Sequence, residues 1–359
     1  MHAGVIGAGI MGLVLALRLV RQGWQVTLFE KSPSLKALNN CSLAAAGLLT
    51  PTCEMDKAEP LIFALGSEAL QLHWPKILSE LQQEIFFQTR GCVVVHHPQD
   101  HGEWDHFIYR ISSKLDCVDM KLLDEANLAE IEPGLSQFSR AYFFPQEGQI
   151  DAQNVVAALA DELLNCGGSL EFNADIIGFE SFQIKTTLTT RVFDWVFDCR
   201  GLLAKDIFTD LRGLRGELIW LHAPEVKLQR PVRFLHPRYS IYIAPRPEQI
   251  FLLGASELEA EDFSNISLRT MLELLSAAYC LNPGFAEARV LKTVTQCRPA
   301  LPNNLPSIKT QKGLTAINGL YRHGFLVAPT LAEEVVRGTY AEQRHYPELW
   351  DDYDYHLYQ

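Results

Sequence analysis

The sequence predicts an α/β protein in which βαβ units are interrupted by antiparallel strands. A glycine-rich turn at residues 7–12 joins a short apolar strand to a helix at the start of the chain. A second strongly apolar strand lies at residues 192–197. Two apolar runs, residues 239–244 and 250–253, flank a five-residue loop and indicate a hairpin. Because βαβ units build parallel sheets and hairpins build antiparallel ones, this order predicts both kinds of sheet in one chain.

Hydrophobic periodicity predicts the elements of the first part of the chain. Residues 3–6 fit a buried strand, residues 10–22 a helix and residues 24–29 a second strand. Residues 60–84 have a largely helical pattern. Pro75 is expected to break that helix, because proline removes a backbone donor from a helix interior.

The later helices have recognisable start and stop signals. Asp151 is a suitable N-cap for a helix that runs to about residue 166 and ends before Gly167. Another helix is predicted over residues 267–281, and Pro329 is expected to open a helix over residues 330–337. The apolar residues that share one face of the helix over residues 267–281 are Leu268, Met271, Leu272, Leu275 and Tyr279.

The glycine-rich turn has the spacing of a dinucleotide-binding motif. Gly7 permits a tight turn, Gly9 lets the backbone approach a pyrophosphate, and Gly12 allows the helix to pack closely on the strand. The N-terminus of the helix then offers free N–H groups and a partial positive charge to the phosphates. Glu30 ends the second strand, where its carboxylate can bind a ribose diol. The first βαβ unit therefore predicts a Rossmann-like nucleotide site.

Composition excludes several classes of function. Of the 359 residues, 48% are hydrophobic and 21% are charged, a globular balance, and the net charge of -12 comes without a Lys/Arg block that could bind nucleic acid. The eight cysteines contain no CxxC pair, which favours reduced thiols and no metal site. The apolar stretch at residues 3–20 is interrupted by glycines and Arg18, so no membrane span is expected. We therefore expect a cytoplasmic protein.

Two later segments favour FAD over NAD, which the glycine motif alone does not distinguish. The strand at residues 192–197 ends in residues 198–201, with the letters DCRG, a second place where the sheet can approach a dinucleotide. An ordinary turn explains these letters equally well. Residues 319–329 lead into the helix predicted over residues 330–337. The start of that helix would stabilise the negative charge that a flavin gains on reduction.

Further segments resemble the glycine oxidases of thiamine biosynthesis, a branch of the D-amino acid oxidase superfamily. Residues 42–51, with the letters SLAAAGLLTP, are similar to the small-residue loop that passes over the isoalloxazine ring in that family. Residues 242–257 are similar to its substrate-domain hairpin, and Arg298-Pro299 to its arginine–proline segment. The resemblance extends along nearly the whole chain, from Gly7 to Arg322.

The resemblance implies a fold and a division into domains. A Rossmann-like FAD-binding domain would be interleaved with an antiparallel-sheet substrate domain, as in D-amino acid oxidase and glutathione reductase-like proteins. The FAD-binding domain would comprise residues 1–85, 146–215 and 298–359, and the substrate-binding domain residues 86–145 and 216–297.

The resemblance also implies the site residues. Arg298 would bind the substrate carboxylate, Tyr242 would help to hold it, and Arg322 would complete the pocket beside the flavin. A structural ion pair, strand packing and an exposed loop cation are the respective alternatives. Glu257 is interpreted as an exposed carboxylate at the end of a strand, and His323 as structural or exposed. The predicted cofactor-binding residues are Gly7, Ala8, Gly9, Ile10, Met11, Gly12, Glu30, Lys31, Ser42, Ala45, Ala46, Gly47, Leu48, Ile176, Arg200, Gly201, Arg322, His323, Gly324, Phe325 and Leu326.

The implied activity is oxidative deamination of a small amino acid such as glycine, sarcosine or a D-amino acid. Hydride transfer to non-covalently bound FAD would give an imino acid, which water converts into a 2-oxo acid and ammonia, and oxygen would yield hydrogen peroxide. The expected partners are the amino acid and oxygen, and a homo-oligomer stays open. The chain departs from the family pattern at Gln296-Cys297, Asn303-Asn304, Lys309, Gly319-Leu320 and residues 198–201, which leaves the substrate undetermined.

Three other functions are compatible with the sequence. One keeps the fold and changes the substrate to another amine or imino acid, with an oxidase or a dehydrogenase reaction. A second is a nicotinamide-dependent dehydrogenase, because the glycine motif serves both nucleotides. A third is a non-catalytic FAD-binding module, since fold alone does not determine activity.

Overall fold

The computed structural model describes residues 1–97, 101–236, 240–340 and 343–352. Its helices are α1 (Ile10–Arg21), α2 (Cys41–Ala44), α3 (Pro51–Glu54), α4 (Pro60–Glu68), α5 (Trp74–Ser79), α6 (His101–Ser112), α7 (Glu125–Ile131), α8 (Ala152–Asn165), α9 (Leu268–Leu281) and α10 (Gly324–Tyr340). Its strands are β1 (His2–Ile6), β2 (Gln25–Phe29), β3 (Leu48–Leu49), β4 (Phe87–Gln88), β5 (Cys92–His96), β6 (Lys121–Asp124), β7 (Arg140–Phe144), β8 (Gly148–Ile150), β9 (Ser169–Glu171), β10 (Ile176–Glu180), β11 (Gln183–Thr186), β12 (Thr190–Val192), β13 (Trp195–Asp198), β14 (Arg212–His222), β15 (Val232–Leu235), β16 (Ser240–Arg246), β17 (Ile250–Gly254), β18 (Arg289–Ala300), β19 (Ser307–Gln311), β20 (Leu314–Asn318) and β21 (Trp350–Asp352).

A mainly parallel sheet forms the first layer of the fold. Its seven strands have the order β21-β19-β20-β13-β1-β2-β9, and every pair is parallel except β19 with β20. Helix α1 follows β1 and packs against α8 and α10. Nine residues of α1 are buried, so this helix belongs to the core and brings its N-terminus to the carboxyl end of β1.

A second, eight-stranded sheet is built mainly from hairpins. Its order is β18-β14-β17-β16-β15-β5-β7-β6, and every pair is antiparallel except β15 with β5. Pairing of β14 with β18 places Arg298 opposite Leu214, and pairing of β16 with β17 places Tyr242 opposite Gly254. The two sheets confirm the mixed α/β architecture, and their interleaved strands bring distant segments together.

Several predicted elements are confirmed with small shifts in their ends. The glycine turn joins β1 to α1, and Asp151 caps α8 by accepting hydrogen bonds from the backbone N–H groups of Gln153 and Asn154. The hairpin of β16 and β17 has a three-residue loop, shorter than predicted. Glu248 and Gln249 in this loop have positive φ angles, which produce a tighter turn. Residue 239, the first of the predicted strand, lies outside the described residues.

Two predictions about proline are wrong. The chain around Pro75 stays helical, because a π-helical turn at Ala69–His73 connects α4 to α5 and accommodates the missing donor. Pro329 lies inside α10, which begins five residues earlier at Gly324. The early start carries the N-terminus of α10 back to Arg322 and His323.

The apolar face predicted for α9 is only partly the buried one, since of its five residues Met271 and Leu275 pack against the core. Leu268, Leu272 and Tyr279 are exposed, whereas Leu274 and Leu281 pack into the core of the eight-stranded sheet. Periodicity identified the helix correctly but does not determine which of two apolar stripes contacts the sheet. The predicted strand at residues 192–197 is divided between β12 and β13.

The strands of the two sheets follow the predicted division into domains, with two exceptions. Both β14 and β18 belong to the eight-stranded sheet and cross the predicted boundaries at residues 215/216 and 297/298. We keep the division as a proposal. Within the described ranges, no helix is both long enough and apolar enough to cross a bilayer.

Candidate active site

A cavity of about 1210 Å³ is the main candidate site. Its walls contain residues at the carboxyl ends of β1, β2, β13 and β20 and residues of β14, β16 and β18. Small-molecule pockets usually measure about 300–1,000 Å³, so this space suits a dinucleotide together with a small ligand. Of the predicted site residues, only Gly12 does not line this cavity. The predicted residues that do line it are Gly7, Ala8, Gly9, Ile10, Met11, Glu30, Lys31, Ser42, Ala45, Ala46, Gly47, Leu48, Ile176, Arg200, Gly201, Tyr242, Arg298, Arg322, His323, Gly324, Phe325 and Leu326.

The three glycines of the first turn have different structural roles. Gly7 has φ +103°, and a Cβ atom there would lie 2.7 Å from the carbonyl oxygen of Cys199. A Cβ atom at Gly12 would overlap the carbonyl oxygen of Gly7, so Gly12 serves close packing and not the cavity wall. At Gly9 the nearest atom to a Cβ would be the Ser42 Oγ at 3.5 Å. Gly9 therefore borders open space, as a close approach by pyrophosphate requires.

The N-terminus of α1 and Glu30 form one end of the cavity. The Ser42 Oγ accepts a hydrogen bond from the Ile10 N–H at 2.9 Å, and the Glu30 Oε2 accepts one from the Ala8 N–H at 2.9 Å. Glu30 is buried at the end of β2, and its carboxylate retains acceptor capacity for ribose hydroxyls. The open glycine and the helix N-terminus beside this acid fit the phosphates and ribose of a dinucleotide.

The side chain of Arg200 is committed to the protein. Its guanidinium donates to Asp198 at 2.9 Å and to Asp206 at 2.7 Å, and it lies over the ring of Phe179. The backbone around Gly201 borders the cavity, with only a Pro299 carbon within 4 Å of a Cβ built at Gly201. At residues 200–201, the predicted contact with a dinucleotide can therefore be made by the backbone and not by the Arg200 side chain.

Arg246, which sequence reasoning did not assign, holds the small-residue loop in place. Its guanidinium donates to the carbonyl oxygens of Ala46 and Ile150 and to the Gln149 Oε1. Burial lowers the pKa of Arg246 to about 10, which leaves it charged at neutral pH. Gly47 has φ +70°, and a Cβ atom there would overlap the carbonyl oxygen of Ile150. This clamp fixes the backbone of the small-residue loop where it lines the cavity.

Arg298 projects from β18 into the cavity. Its Nη1 donates to the carbonyl oxygen of Ser256 at 3.2 Å, and the structure shows no carboxylate paired with it among the described residues. The guanidinium lies against Gly216, where a Cβ atom would come within 2.7 Å of the Nη1. A cavity arginine without a carboxylate partner is suited to bind an anionic group of a ligand.

Tyr242 lies on β16, which β14 and β17 separate from the strand of Arg298, and its hydroxyl lies near the same glycine-lined space. A Cβ atom at Gly254, its cross-strand partner, would come within 2.6 Å of the Tyr242 Oη. Burial raises the pKa of Tyr242, so the hydroxyl stays protonated at neutral pH and can donate a hydrogen bond. Gly216 and Gly254 thus make room for Arg298 and Tyr242, and nothing in the sequence pattern singled them out.

Arg322 differs from Arg298, because protein carboxylates already surround it. Its Nε donates to the Glu54 Oε2 at 2.7 Å, and its Nη1 lies 3.5 Å from the Glu257 Oε2. Burial by itself raises the pKa of Glu54, but Arg322 and the hydrogen bond from His323 bring that pKa well below its usual range. The prediction placed Arg322 at the pocket, where it lies, but did not foresee this pairing.

His323 is structural, the first of its two predicted roles, and Glu257 is exposed as predicted but has partners in the cavity. His323 is buried at the start of α10, and its Nε2 lies 3.0 Å from the Glu54 Oε2. Burial lowers the pKa of His323, which favours a neutral imidazole. Glu257 accepts a hydrogen bond from the Tyr321 hydroxyl. The carboxylates of Glu54 and Glu257 are separated by about 200 residues in sequence and meet only in the folded chain.

A buried cluster of two thiols and a carboxyl group lies at the cavity wall, where Cys53 and Cys92 line the cavity and Glu147 does not. The Sγ atoms of Cys53 and Cys92 and a carboxyl oxygen of Glu147 lie within 4.8 Å of one another, and the Glu147 Oε1 accepts from the Cys53 N–H at 2.7 Å. Burial raises the pKa of Glu147 to about 7 and that of Cys53 well above its usual range. Sequence spacing could not reveal this group, because its members come from three separate segments.

The raised pKa of Glu147 has a measurable effect on stability. The folded state binds a proton that the unfolded state has released, so the free energy of unfolding falls as pH rises from about 4.5 through about 7. Glu147→Gln removes this loss. Between about pH 5 and about pH 8, the free energy of unfolding of the variant relative to wild type should therefore rise by up to about 3 kcal/mol. Denaturant unfolding at each pH measures the difference. Glu84→Gln, at an exposed position, is the control, and parallel pH curves for Glu147→Gln and wild type would contradict the prediction.

The glycine beneath Arg298 provides a second test. Gly216→Ala inserts a methyl group where the guanidinium lies, so Arg298 must move while the strand pairing stays intact. We expect a rise in the KM for a carboxylate substrate of about tenfold or more, with the content of bound dinucleotide unchanged. Gly178→Ala, on β10 with no heavy atom within 4 Å of its Cβ position, is the matched control. An unchanged KM in Gly216→Ala would show that this contact does not position Arg298.

Comparison with known proteins agrees with the geometry of the cavity. A family model described as FAD dependent oxidoreductase, DAO, matches residues 2–337. A Rhizobium etli protein named as a thiamine biosynthesis oxidoreductase, ThiO, is 40% identical over 94% of this chain and 96% of its own length. The glycine oxidase of Geobacillus kaustophilus is 24% identical over 90% of this chain and 89% of its own length.

Two solved structures have the same fold. The crystal structure of the Geobacillus kaustophilus glycine oxidase superposes with a TM-score of 0.83 at 23% identity, covering 96% of this chain and 95% of that one. Iminodiacetate oxidase from Chelativorans sp. BNC1 gives a TM-score of 0.81 at 22% identity, covering 98% and 99%. The cradle at Gly9 and the family match agree on an enzyme that uses FAD. This chain belongs to the DAO family of FAD-dependent oxidoreductases.

Proposed function

We propose that this enzyme oxidatively deaminates a small amino acid, with glycine, sarcosine and D-amino acids as the candidate substrates. Its products would be a 2-oxo acid, ammonia and hydrogen peroxide. The observation that carries the proposal is Arg298, a cavity arginine without a carboxylate partner in the described part of the chain, beside the Tyr242 hydroxyl. The glycine oxidase and ThiO names of its relatives support the same reaction class.

The residues of the cavity would bind and orient the substrate. A guanidinium can donate two parallel hydrogen bonds to a carboxylate, which Arg298 would do while Tyr242 donates a third. Tyr242 packs against the buried residues Ala46 and Leu218 of the cavity wall, which would limit access of water and strengthen these interactions. FAD, when bound, supplies the hydride acceptor and passes the electrons to oxygen. Holding the α-carbon in place is the main contribution of the protein, so we assign no acid or base side chain.

The cofactor contacts are part of the same proposal. Gly9 and the α1 N-terminus would hold the pyrophosphate, Glu30 the ribose, and the loop around Ala46 the face of the ring. We propose that FAD binds without a covalent link. The Cys297 Sγ lies 3.4 Å from the carbonyl oxygen of Asp262, to which it donates. Because its Rhizobium etli relative is named as a thiamine biosynthesis oxidoreductase, we further propose that this protein acts in thiamine biosynthesis.

Anaerobic reduction of the flavin tests the reaction class. Purified FAD-bound protein is mixed without oxygen with glycine, sarcosine or D-alanine, and loss of the oxidised flavin absorbance is followed. We expect at least one of them to bleach the flavin, and readmitted oxygen to restore the colour with release of peroxide. If a chemical reductant bleaches the flavin but no amine does, the protein is a non-catalytic FAD-binding module and the proposal is wrong.

A further inference from the structure

We propose that Glu257 restricts the enzyme to substrates with a single carboxylate, because it occupies the second guanidinium of the cavity. This inference rests on the proposed function and specifies its substrate class. A cavity with two free arginines could accept two carboxylates of one substrate. Of the two arginines assigned to the substrate site, Arg298 has no carboxylate partner among the described residues, whereas Arg322 is paired with Glu54 and Glu257.

The two carboxylates around Arg322 are held differently. Glu54 contacts both the Nε and the Nη2 of Arg322 at 2.7 and 2.5 Å, and it also lies 3.0 Å from the His323 Nε2. These several contacts make Glu54 a fixed part of the wall. Glu257 lies 3.5 Å from the remaining nitrogen, the Nη1, and its side chain is 32% exposed. Glu257 is therefore the carboxylate that decides whether the Nη1 is available.

Glu257 is kept charged and in position by its other neighbours. The Tyr321 hydroxyl donates to its Oε1, and the Lys57 Nζ lies 3.4 Å from its Oε2. Burial opposes the charged form, yet Arg322 and the Tyr321 hydrogen bond together lower the pKa of Glu257. The carboxylate is thus ionised at neutral pH, and the positive charge of Arg298 also helps to lower its pKa.

The charges of this region leave room for one anion. The backbone carbonyl that Arg298 contacts belongs to Ser256, the residue before Glu257, so the two side chains are close in the cavity wall. Three cations, Arg298, Arg322 and Lys57, face the two carboxylates of Glu54 and Glu257, which leaves one net positive charge. A first substrate carboxylate pairs with Arg298. A second one would meet Glu257 in place of a free cation, and like charges at short range oppose binding.

A matched pair of substrates tests this inference. Sarcosine and iminodiacetate are both N-substituted glycines, and iminodiacetate has an additional carboxylate where sarcosine has a hydrogen. The FAD-bound wild type should prefer sarcosine in kcat/KM. In Glu257→Gln, which retains an acceptor oxygen for Tyr321, we expect that preference to fall by about tenfold or more, mainly through a lower KM for iminodiacetate. Glu259→Gln, at an exposed acid that pairs with Arg212, should keep the wild-type ratio.

The outcomes separate this inference from the proposed function. If wild type turns over iminodiacetate as well as sarcosine, or Glu257→Gln leaves the ratio unchanged while FAD content and unfolding temperature match wild type, the inference is wrong. If no amine is oxidised, the proposed function fails. Titration with unreactive acetate and malonate, followed by the flavin absorbance spectrum, then decides the inference alone. Glu257→Gln should raise the affinity for malonate and leave the affinity for acetate unchanged. Equal effects on both affinities would overturn the inference.

Discussion

Arg298→Ala is expected to lower kcat/KM for the amino acid substrate by about a thousandfold. The guanidinium has no carboxylate partner among the described residues and lies beside Tyr242, and loss of a charge-assisted, bidentate hydrogen bond typically costs several kcal/mol of binding. The effect should appear mostly in KM, because the carboxylate is bound in both the ground state and the transition state. Arg298→Lys should recover only part of the loss, since an ammonium group cannot donate two parallel hydrogen bonds to a carboxylate.

Steady-state kinetics and anaerobic flavin reduction measure this effect. A control is available on the same strand, because Arg289 begins β18 but is exposed and pairs with Glu287 at the surface. Arg289→Ala should leave kcat/KM unchanged. If Arg298→Ala keeps the wild-type KM while it binds FAD normally, then the carboxylate is bound elsewhere and the proposed site is wrong.

Gly9→Val is expected to abolish tight FAD binding while the protein stays folded. A Cβ atom at this position meets only the Ser42 Oγ at 3.5 Å, so the first atom of a side chain fits. The two methyl groups of valine would extend into the space beside the α1 N-terminus, where the pyrophosphate is proposed to bind. We expect FAD affinity to fall by about a hundredfold or more.

The FAD-to-protein ratio and the unfolding temperature with and without added FAD measure this loss. A ligand that binds only the native state raises the unfolding temperature, so wild type should gain stability from FAD and Gly9→Val should not. Gly102→Val, at an exposed position in α6 with open space around its Cβ, is the control and should bind FAD like wild type. Normal flavin content in Gly9→Val would contradict the assignment of the cradle.

The sequence by itself determined the features whose signals are local. The glycine spacing in the β1–α1 turn, the cap of α8 by Asp151 and the apolar runs of the hairpin each act within a few residues, so they could be recognised without the fold. The resemblance to glycine oxidases added Arg298 and Tyr242, and both line the cavity. Their roles in the reaction stay predictions until the variants are measured.

Only the tertiary structure decided which charges meet. Arg322 was placed at the pocket by the resemblance, but its partners Glu54 and Glu257 come from segments far apart in the chain. The room for Arg298 above Gly216 likewise depends on the register of β14 with β18. The exposed face of α9 and the π-helical turn before Pro75 also result from packing that local patterns do not encode. Electrostatic pairing and burial depend on which distant segments lie close together in space. A single sequence does not give those distances.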